Sequence, residues 1–214
     1  RRKSNMSRAA WWYVGGLLFS IPLLVAYVDI PVAQFIHDNS NYGTEFWGSW
    51  LEEIGKSHWV LIALVVVFGF TVRGRTQVAR GVAVVFSAIA LSGIAANVVK
   101  VLVCRSRPPL YFSDHIFSAK LLAFDINYIW NSFPSGHATT GFAIALAGEY
   151  VLPKYRVLYW IIGLLIAFGR VLYNVHYVSD VVGGIVLATL VTLFVIRLDQ
   201  RYGNRINKLG RSAK

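Results

Sequence analysis

Residues 157–180 read VLYWIIGLLIAFGRVLYNVHYVSD. The run 157–174 is apolar and close to the length a helix needs to cross about 30 Å of hydrocarbon. Yet Arg170 lies inside it, and His176 and Asp180 follow at once. An ionisable residue at the centre of a membrane helix costs about 2.5–3.5 kcal/mol, so such residues face a polar cavity or a partner and mark a site. His176 and Asp180 are four apart, and on one helix face the carboxylate would reach the imidazole, fix its tautomer and stabilise its charged form.

Working outward from this stretch, five further apolar runs appear, at 9–29, 58–72, 81–104, 136–152 and 181–197. The run at 58–72 is short, and its span either leans on a tilted neighbour or begins earlier, near Trp50. The first run follows Arg1, Arg2, Lys3 and Arg8, but it is longer than the 7–15 residues of a signal peptide's apolar core and reads as an anchored helix. The expected fold is therefore an all-α bundle of six transmembrane helices in a single domain, 1–214. The 214 residues are 56% hydrophobic and only 14% charged, against about 25% in soluble domains. Disorder is excluded, and the net charge of +11 reads as a membrane signature rather than a nucleic-acid surface. One cysteine, Cys104, rules out a disulfide framework within the chain and a cysteine-based zinc site.

The cations set the expected orientation, because basic loops stay cytoplasmic. Arg1, Arg2, Lys3 and Arg8 fall on one side with Arg73, Arg75, Arg80, Lys154, Arg156 and the tail residues Arg197, Arg201, Arg205, Lys208, Arg211 and Lys214. The other side holds Lys56, Lys100, Arg105, Arg107, Lys120 and Arg170. Both termini are thus expected in the cytoplasm, with the basic tail from about 198 lying on anionic headgroups. Residues 30–57 mix apolar side chains with Asp38, Glu45, Glu52 and Glu53 and carry Trp47 and Trp50, which suggests an additional amphipathic segment lying in the outer interface.

Tracing the helix directions brings Lys100, Arg107, His137, Arg170, His176 and Asp180 to the same outer face. Lys100 and Arg107 are seven apart, which on a continuing helix is nearly the same face, and Pro108 would end that helix. With Arg170 they form a trap for a multiply charged anion such as phosphate. Pro134-Ser135-Gly136-His137 opens the fourth span, where free N–H groups and the helix dipole favour an anion and Gly136 allows close approach. The blander alternative assigns the cations to snorkelling and Ser135 and Asp180 to helix capping. It gives no reason for two histidines opposite three cations.

These residues resemble the motifs of the type 2 phosphatidic acid phosphatase superfamily. Lys100 through Arg107-Pro108 matches its first motif, Pro134 to His137 its second, and Arg170, His176 and Asp180 its third, with Gly169 where the family has Ser. The resemblance implies a metal-independent phosphohydrolase without cofactor. In it His176 would form a phosphohistidine with Asp180 orienting its ring, and His137 would protonate the leaving oxygen and later activate water. Lys100, Arg107, Arg170, Ser135 and the Gly136 amide would hold the phosphoryl oxygens. It also implies a bacterial cytoplasmic-membrane enzyme with its site facing outward. Its partners would be a lipid phosphate substrate and the bilayer, with no nucleic acid and no obligate protein partner.

Three functions remain open on this reading: hydrolysis of a lipid phosphate or pyrophosphate, phosphotransfer to another lipid, and non-catalytic anion or lipid transport. Phosphatidylglycerol phosphate, phosphatidic acid, undecaprenyl pyrophosphate and lipid A phosphate are all candidate substrates. The loop at about 105–134, rich in aromatic residues, is expected either to cover the pocket and select headgroups or to pack at the interface.

Overall fold

The computed structural model describes residues 8–212, and the surroundings of side chains for residues 11–203. The side chains of Arg1, Arg2, Lys3, Arg8, Arg205, Lys208, Arg211 and Lys214, on which part of the expected orientation rests, lie outside these limits. Within them the chain is helical and forms no strand beyond one isolated bridge between Arg105 and Ala119. The helices are α1 (Arg8–Tyr27), α2 (Asp29–Asp38), α3 (Tyr42–Ile54), α4 (Ser57–Thr71), α5 (Thr76–Val103), α6 (Pro108–Asp114), α7 (Gly136–Val151), α8 (Arg156–Leu172) and α9 (Val178–Ser212).

Four described helical stretches are long and apolar enough to cross a membrane: Tyr42–Thr71, Thr76–Val103, Pro153–Leu172 and Val178–Gly203. A fifth results if the α1–α2 pair, bent by 57°, is one broken span. The bend has a local cause, since Pro31 has no N–H to donate to Tyr27 and its ring crowds that carbonyl. The short second run is resolved in favour of an earlier start, because α3 and α4 follow one another with only Gly55 and Lys56 between them. Residues 42–54, expected to lie in the interface, belong instead to this stretch, with α3 packed on α8. The run at 136–152 became α7, whose 16 residues extend about 24 Å, less than the hydrocarbon thickness.

Helix α7 is the centre of the bundle, packed on α5, α8 and α9. Its buried positions are nearly all small: Ala138, Thr139, Thr140, Gly141, Ala143, Ala145, Ala147 and Gly148, with Phe142 the one large exception. Small residues let membrane helices approach backbone to backbone, where dispersion replaces the hydrophobic drive that lipid does not supply. The closest approach pairs Gly141 with Gly163 of α8, where a Cβ on either would come 3.0 or 2.8 Å from the other's carbonyl oxygen. At the far end from the charged cluster, Arg80 of α5 donates through Nε to Asp199 Oδ1 (2.6 Å), and Tyr150 Oη of α7 donates to Asp199 Oδ2 (2.8 Å), tying three helices together.

A second tie fixes the opposite end. Arg105, just after α5, donates to Asp29 Oδ2 of α2 at 2.7 Å and to Asp180 Oδ1 of α9 at 2.6 Å. Asp29 also accepts from the Ser179 backbone N–H (2.9 Å) and hydroxyl (2.5 Å). Arg105, Asp29 and Asp180 are all buried. Removing the only cation shared by two buried carboxylates exposes each to its full desolvation cost, so Arg105→Met should destabilise the protein by about 3–5 kcal/mol. The loss should shrink when Asp29→Asn accompanies it, as read by thermal unfolding in detergent. Gly163→Val should cost about 1–3 kcal/mol by overpacking in the same assay.

Candidate active site

Four helix ends bring the predicted residues together. Lys100 sits in the last turn of α5, Ser135 caps the start of α7, Arg170 lies in the last turn of α8, and Asp180 in the first turn of α9. Lys100 and Arg107 do meet, but not on one helix face. Cys104 adopts a left-handed conformation (φ 44°) that ends α5 at Val103, Arg107 is extended, and Pro108 begins α6 rather than ending α5. The two cations converge on one acceptor, the Asn131 carbonyl, which takes Lys100 Nζ at 2.6 Å and Arg107 Nη2 at 3.0 Å. The Asn131 side chain is itself held by the carbonyls of Asp125 and Asn127.

Arg107 also fixes the protonation pattern of His176. Its Nη1 lies 3.1 Å from His176 Nε2. A guanidinium can only donate, so Nε2 accepts and the ring proton resides on Nδ1. That nitrogen faces Asp180 Oδ2 at 3.4 Å and the Ser132 hydroxyl at 3.5 Å, while Ser132 donates to the same carboxylate oxygen at 2.5 Å. Burial, followed by the charges of Arg107, Lys100 and Arg170, holds the His176 imidazole well below its usual pKa. At rest the contact with Asp180 is therefore a hydrogen bond from a neutral ring, not an ion pair. The ring keeps a lone pair on the nitrogen facing the cations, which is what a nucleophile toward a bound phosphorus needs.

Capping, the plainer role expected for Ser135 and Asp180, is also present. Ser135 Oγ accepts from the Ala138 N–H at 3.4 Å, and Asp180 Oδ2 accepts from the Tyr177 N–H at 2.9 Å. The same two residues are joined by Ser135 N–H donating to the Asp180 carbonyl at 2.9 Å, which locks the start of α7 to the start of α9. Gly136 has the Lys100 side chain alongside, with Cε 4.0 Å from where a Cβ would stand.

His137 and Arg170 form the other half of the site, and α3 covers them. His137 Nε2 donates to the Glu52 carbonyl at 3.0 Å, and Arg170 Nη1 pairs with the Glu52 carboxylate at 3.1 Å. Arg170 is only 2% exposed, and its Nε and Nη1 lack any acceptor in hydrogen-bond geometry. A cavity of about 230 Å³ opens beside His137, lined by Lys56, Ser57 and His58 at the α3–α4 junction, Asn97 of α5, and Gly136 and Thr140 of α7. Asn97 brings an amide side chain to this cavity from α5.

Six participants escaped the sequence reading: Asp29, Glu52, Arg105, Asn131, Ser132 and Ser179. Asp29 and Arg105 were visible as charges at the ends of apolar runs, the one signal available. Nothing in the chain pairs two residues 76 positions apart. Asn131 acts through its carbonyl, which every residue possesses, so its type carried no signal.

The chain is similar to several known proteins. The lipid A 1-phosphatase of Rhizobium johnstonii is 28% identical over 199 residues, covering 87% of this chain and 76% of its own. That of Rhizobium etli is 31% identical over 150 residues, 64% of each chain. In fold, the chain is similar to the transmembrane PAP2 type phosphatidylglycerolphosphate phosphatase from Bacillus subtilis, with a TM-score of 0.65 at 19% identity, covering 88% of this chain and 96% of that one. It is also similar to LpxE from Aquifex aeolicus, with a TM-score of 0.61 at 19% identity and coverage of 79% and 95%. The PAP2 superfamily profile matches residues 81–203, from the helix that carries Lys100 to the one that carries Asp180, and the chain belongs to that superfamily.

Proposed function

We propose that this lipid phosphatase hydrolyses the phosphate monoester of a lipid A-type glycolipid through a phosphohistidine on His176, at the outer face of a bacterial cytoplasmic membrane. The observation that carries the mechanism is the hydrogen-bond polarity at His176, with Nδ1–H toward Asp180 and the Nε2 lone pair toward the cations. Nε2 attacks the phosphorus in line as the bond to the leaving oxygen breaks, and His137 gives that oxygen a proton. Water then attacks the phosphorus as the phosphorus–nitrogen bond breaks and returns its electron pair to Nε2, His137 takes the water's proton, and free phosphate leaves. Lys100, Arg107, Arg170, the Ser135 hydroxyl and the Gly136 N–H hold the non-bridging oxygens, where charge is spread in the transition state. No step calls on a metal, since the fixed cations supply the charge.

The glycolipid reading is supported by the two Rhizobium relatives. It is also supported by the polar side chains of Lys56, Ser57, His58, Asn97 and Thr140 among those lining the cavity beside His137, which give a hydroxylated leaving group partners that a bare chain would not use. Six spans are the topology we favour, α1–α2, α3–α4, α5, α7, α8 and α9, with both termini cytoplasmic. The gathering of the site at one end of the bundle supports it. The connection from α5 to α7 reads as interface rather than lid: Leu122 N–H caps the Leu102 carbonyl at the end of α5, while Leu121, Phe124 and Ile126 stand exposed beside it.

Phosphate release by purified protein in detergent from lipid A 1-phosphate, phosphatidylglycerol phosphate, phosphatidic acid and undecaprenyl pyrophosphate should be fastest with the first. His176→Ala should lower it at least about 10³-fold, and chelator should leave the wild-type rate unchanged. Label from a ³²P substrate should appear in solution. Its appearance on an added lipid acceptor would convert the assignment to phosphotransfer.

A further inference from the structure

Gly169 stands where the family's third motif has Ser, and α3 occupies the space a side chain would need. A Cβ at Gly169 would come 2.5 Å from Leu51 Cβ. One residue on, Glu52 reaches two groups of the site at once, its carboxylate on Arg170 Nη1 (3.1 Å) and its backbone carbonyl on His137 Nε2 (3.0 Å). Gly55 makes the same approach possible further along the chain, since a Cβ there would come 2.6 Å from His137 Cδ2. The missing hydroxymethyl is thus the room that lets α3 seat itself on the site.

On the phosphohydrolase reading, these are the two groups that meet the two halves of the scissile bond. Arg170 holds a phosphoryl oxygen and His137 protonates the bridging oxygen. At rest, one residue supplies an anion to the first and an oxygen acceptor to the second. The cavity of about 230 Å³ continues from His137 past Gly55, Lys56 and His58 to Asn97. It opens directly beside His137, the group assigned to that bridging oxygen.

We propose that Glu52 is a built-in occupant of the substrate position, displaced from Arg170 by the phosphoryl group and from His137 by the bridging oxygen, and that the Lys56–Asn97 cavity receives the hydroxylated leaving group. The arrangement is electrostatically economical. Arg170 is buried and its Nε and Nη1 have no acceptor in hydrogen-bond geometry, so without substrate it needs an anion, and Glu52, 29% exposed at its side chain, can swing to solvent when a doubly charged phosphate arrives. The site is thereby kept closed to weak monoanions, which cannot compete with a tethered carboxylate.

The proposal rests on the phosphohydrolase reading, and binding of orthophosphate tests it without turnover. In titrations of purified protein in detergent, Glu52→Gln should bind orthophosphate about tenfold more tightly than wild type. Glu52→Asp, too short to hold Arg170 at the same distance, should fall between them and serves if the first variant does not fold. KM for the lipid phosphate should drop in parallel. Unchanged or weaker orthophosphate affinity in both variants overturns the occupant role, whatever the substrate panel shows. For the cavity, Asn97→Leu should raise KM for the lipid phosphate several-fold with orthophosphate affinity unchanged. No change in KM, or an equal change in both, overturns the leaving-group assignment. Absence of phosphate release by wild type from every lipid in the panel, with the orthophosphate result intact, would remove the phosphohydrolase reading and leave the displacement standing.

Discussion

The buried charge of Arg105, shared between Asp29 and Asp180, is the constraint on which the site end of the bundle depends. Both carboxylates are buried, and each would be costly to bury alone. With Arg105 between them, Asp180 Oδ1 is committed to the guanidinium, so Oδ2 is left to face Ser132, the Tyr177 N–H and His176. That division of labour orients the histidine ring. It also settles where α2 must lie, because Asp29 has to reach past the bend at Val28 to meet both Arg105 and Ser179.

The remaining charges follow a different logic. Lys100 and Arg107 donate at rest to neutral carbonyls, both to that of Asn131 and Arg107 also to those of Tyr128 and Val175, whereas Arg170 pairs with a carboxylate. Three cations with one carboxylate among them leave the cluster electropositive, and that excess is available to a phosphate without reorganising the scaffold. Donors already aimed before the reaction begins are worth more than donors that must be gathered, because their ordering cost is met during folding. The arrangement separates the structural ion pair, which ligand binding leaves intact, from the exchangeable one, which ligand binding breaks.

The legible part of this design is the part written in residue types. Apolar runs gave the helices, and Arg170, His176 and Asp180 at the end of one run announced a site before any geometry was known. Spacing alone misled where it assumed a continuous helix: Lys100 and Arg107 do converge, but through Cys104 turning the chain in the left-handed region, which no side-chain pattern signals. Glu52 looked like an interfacial acid and Asp29 was only the last residue of an apolar run, because their partners are far away in sequence. The seating of α3 was hidden for a further reason, since its cause is an absent side chain at Gly169, and a glycine in an apolar run carries no mark of what packs on it.

The shortness of α7 connects packing to function. Its 16 residues span about 24 Å against about 30 Å of hydrocarbon, and it is walled by α5, α8 and α9 with small side chains that leave no slack. Its N-terminus, with Ser135 and Gly136, is tied to the first turn of α9 by the Ser135 N–H on the Asp180 carbonyl, and it meets the last turns of α5 and α8, which carry Lys100 and Arg170. At this meeting point Arg107 and Arg170 are buried and Lys100 half-buried, and the Asn131 carbonyl from the connecting loop accepts from both Lys100 and Arg107. The cavity between the α3–α4 junction and α5 opens beside His137 on the same helix, so on the proposed reading the helix that presents Ser135 and Gly136 to the phosphate also presents His137 to the leaving group.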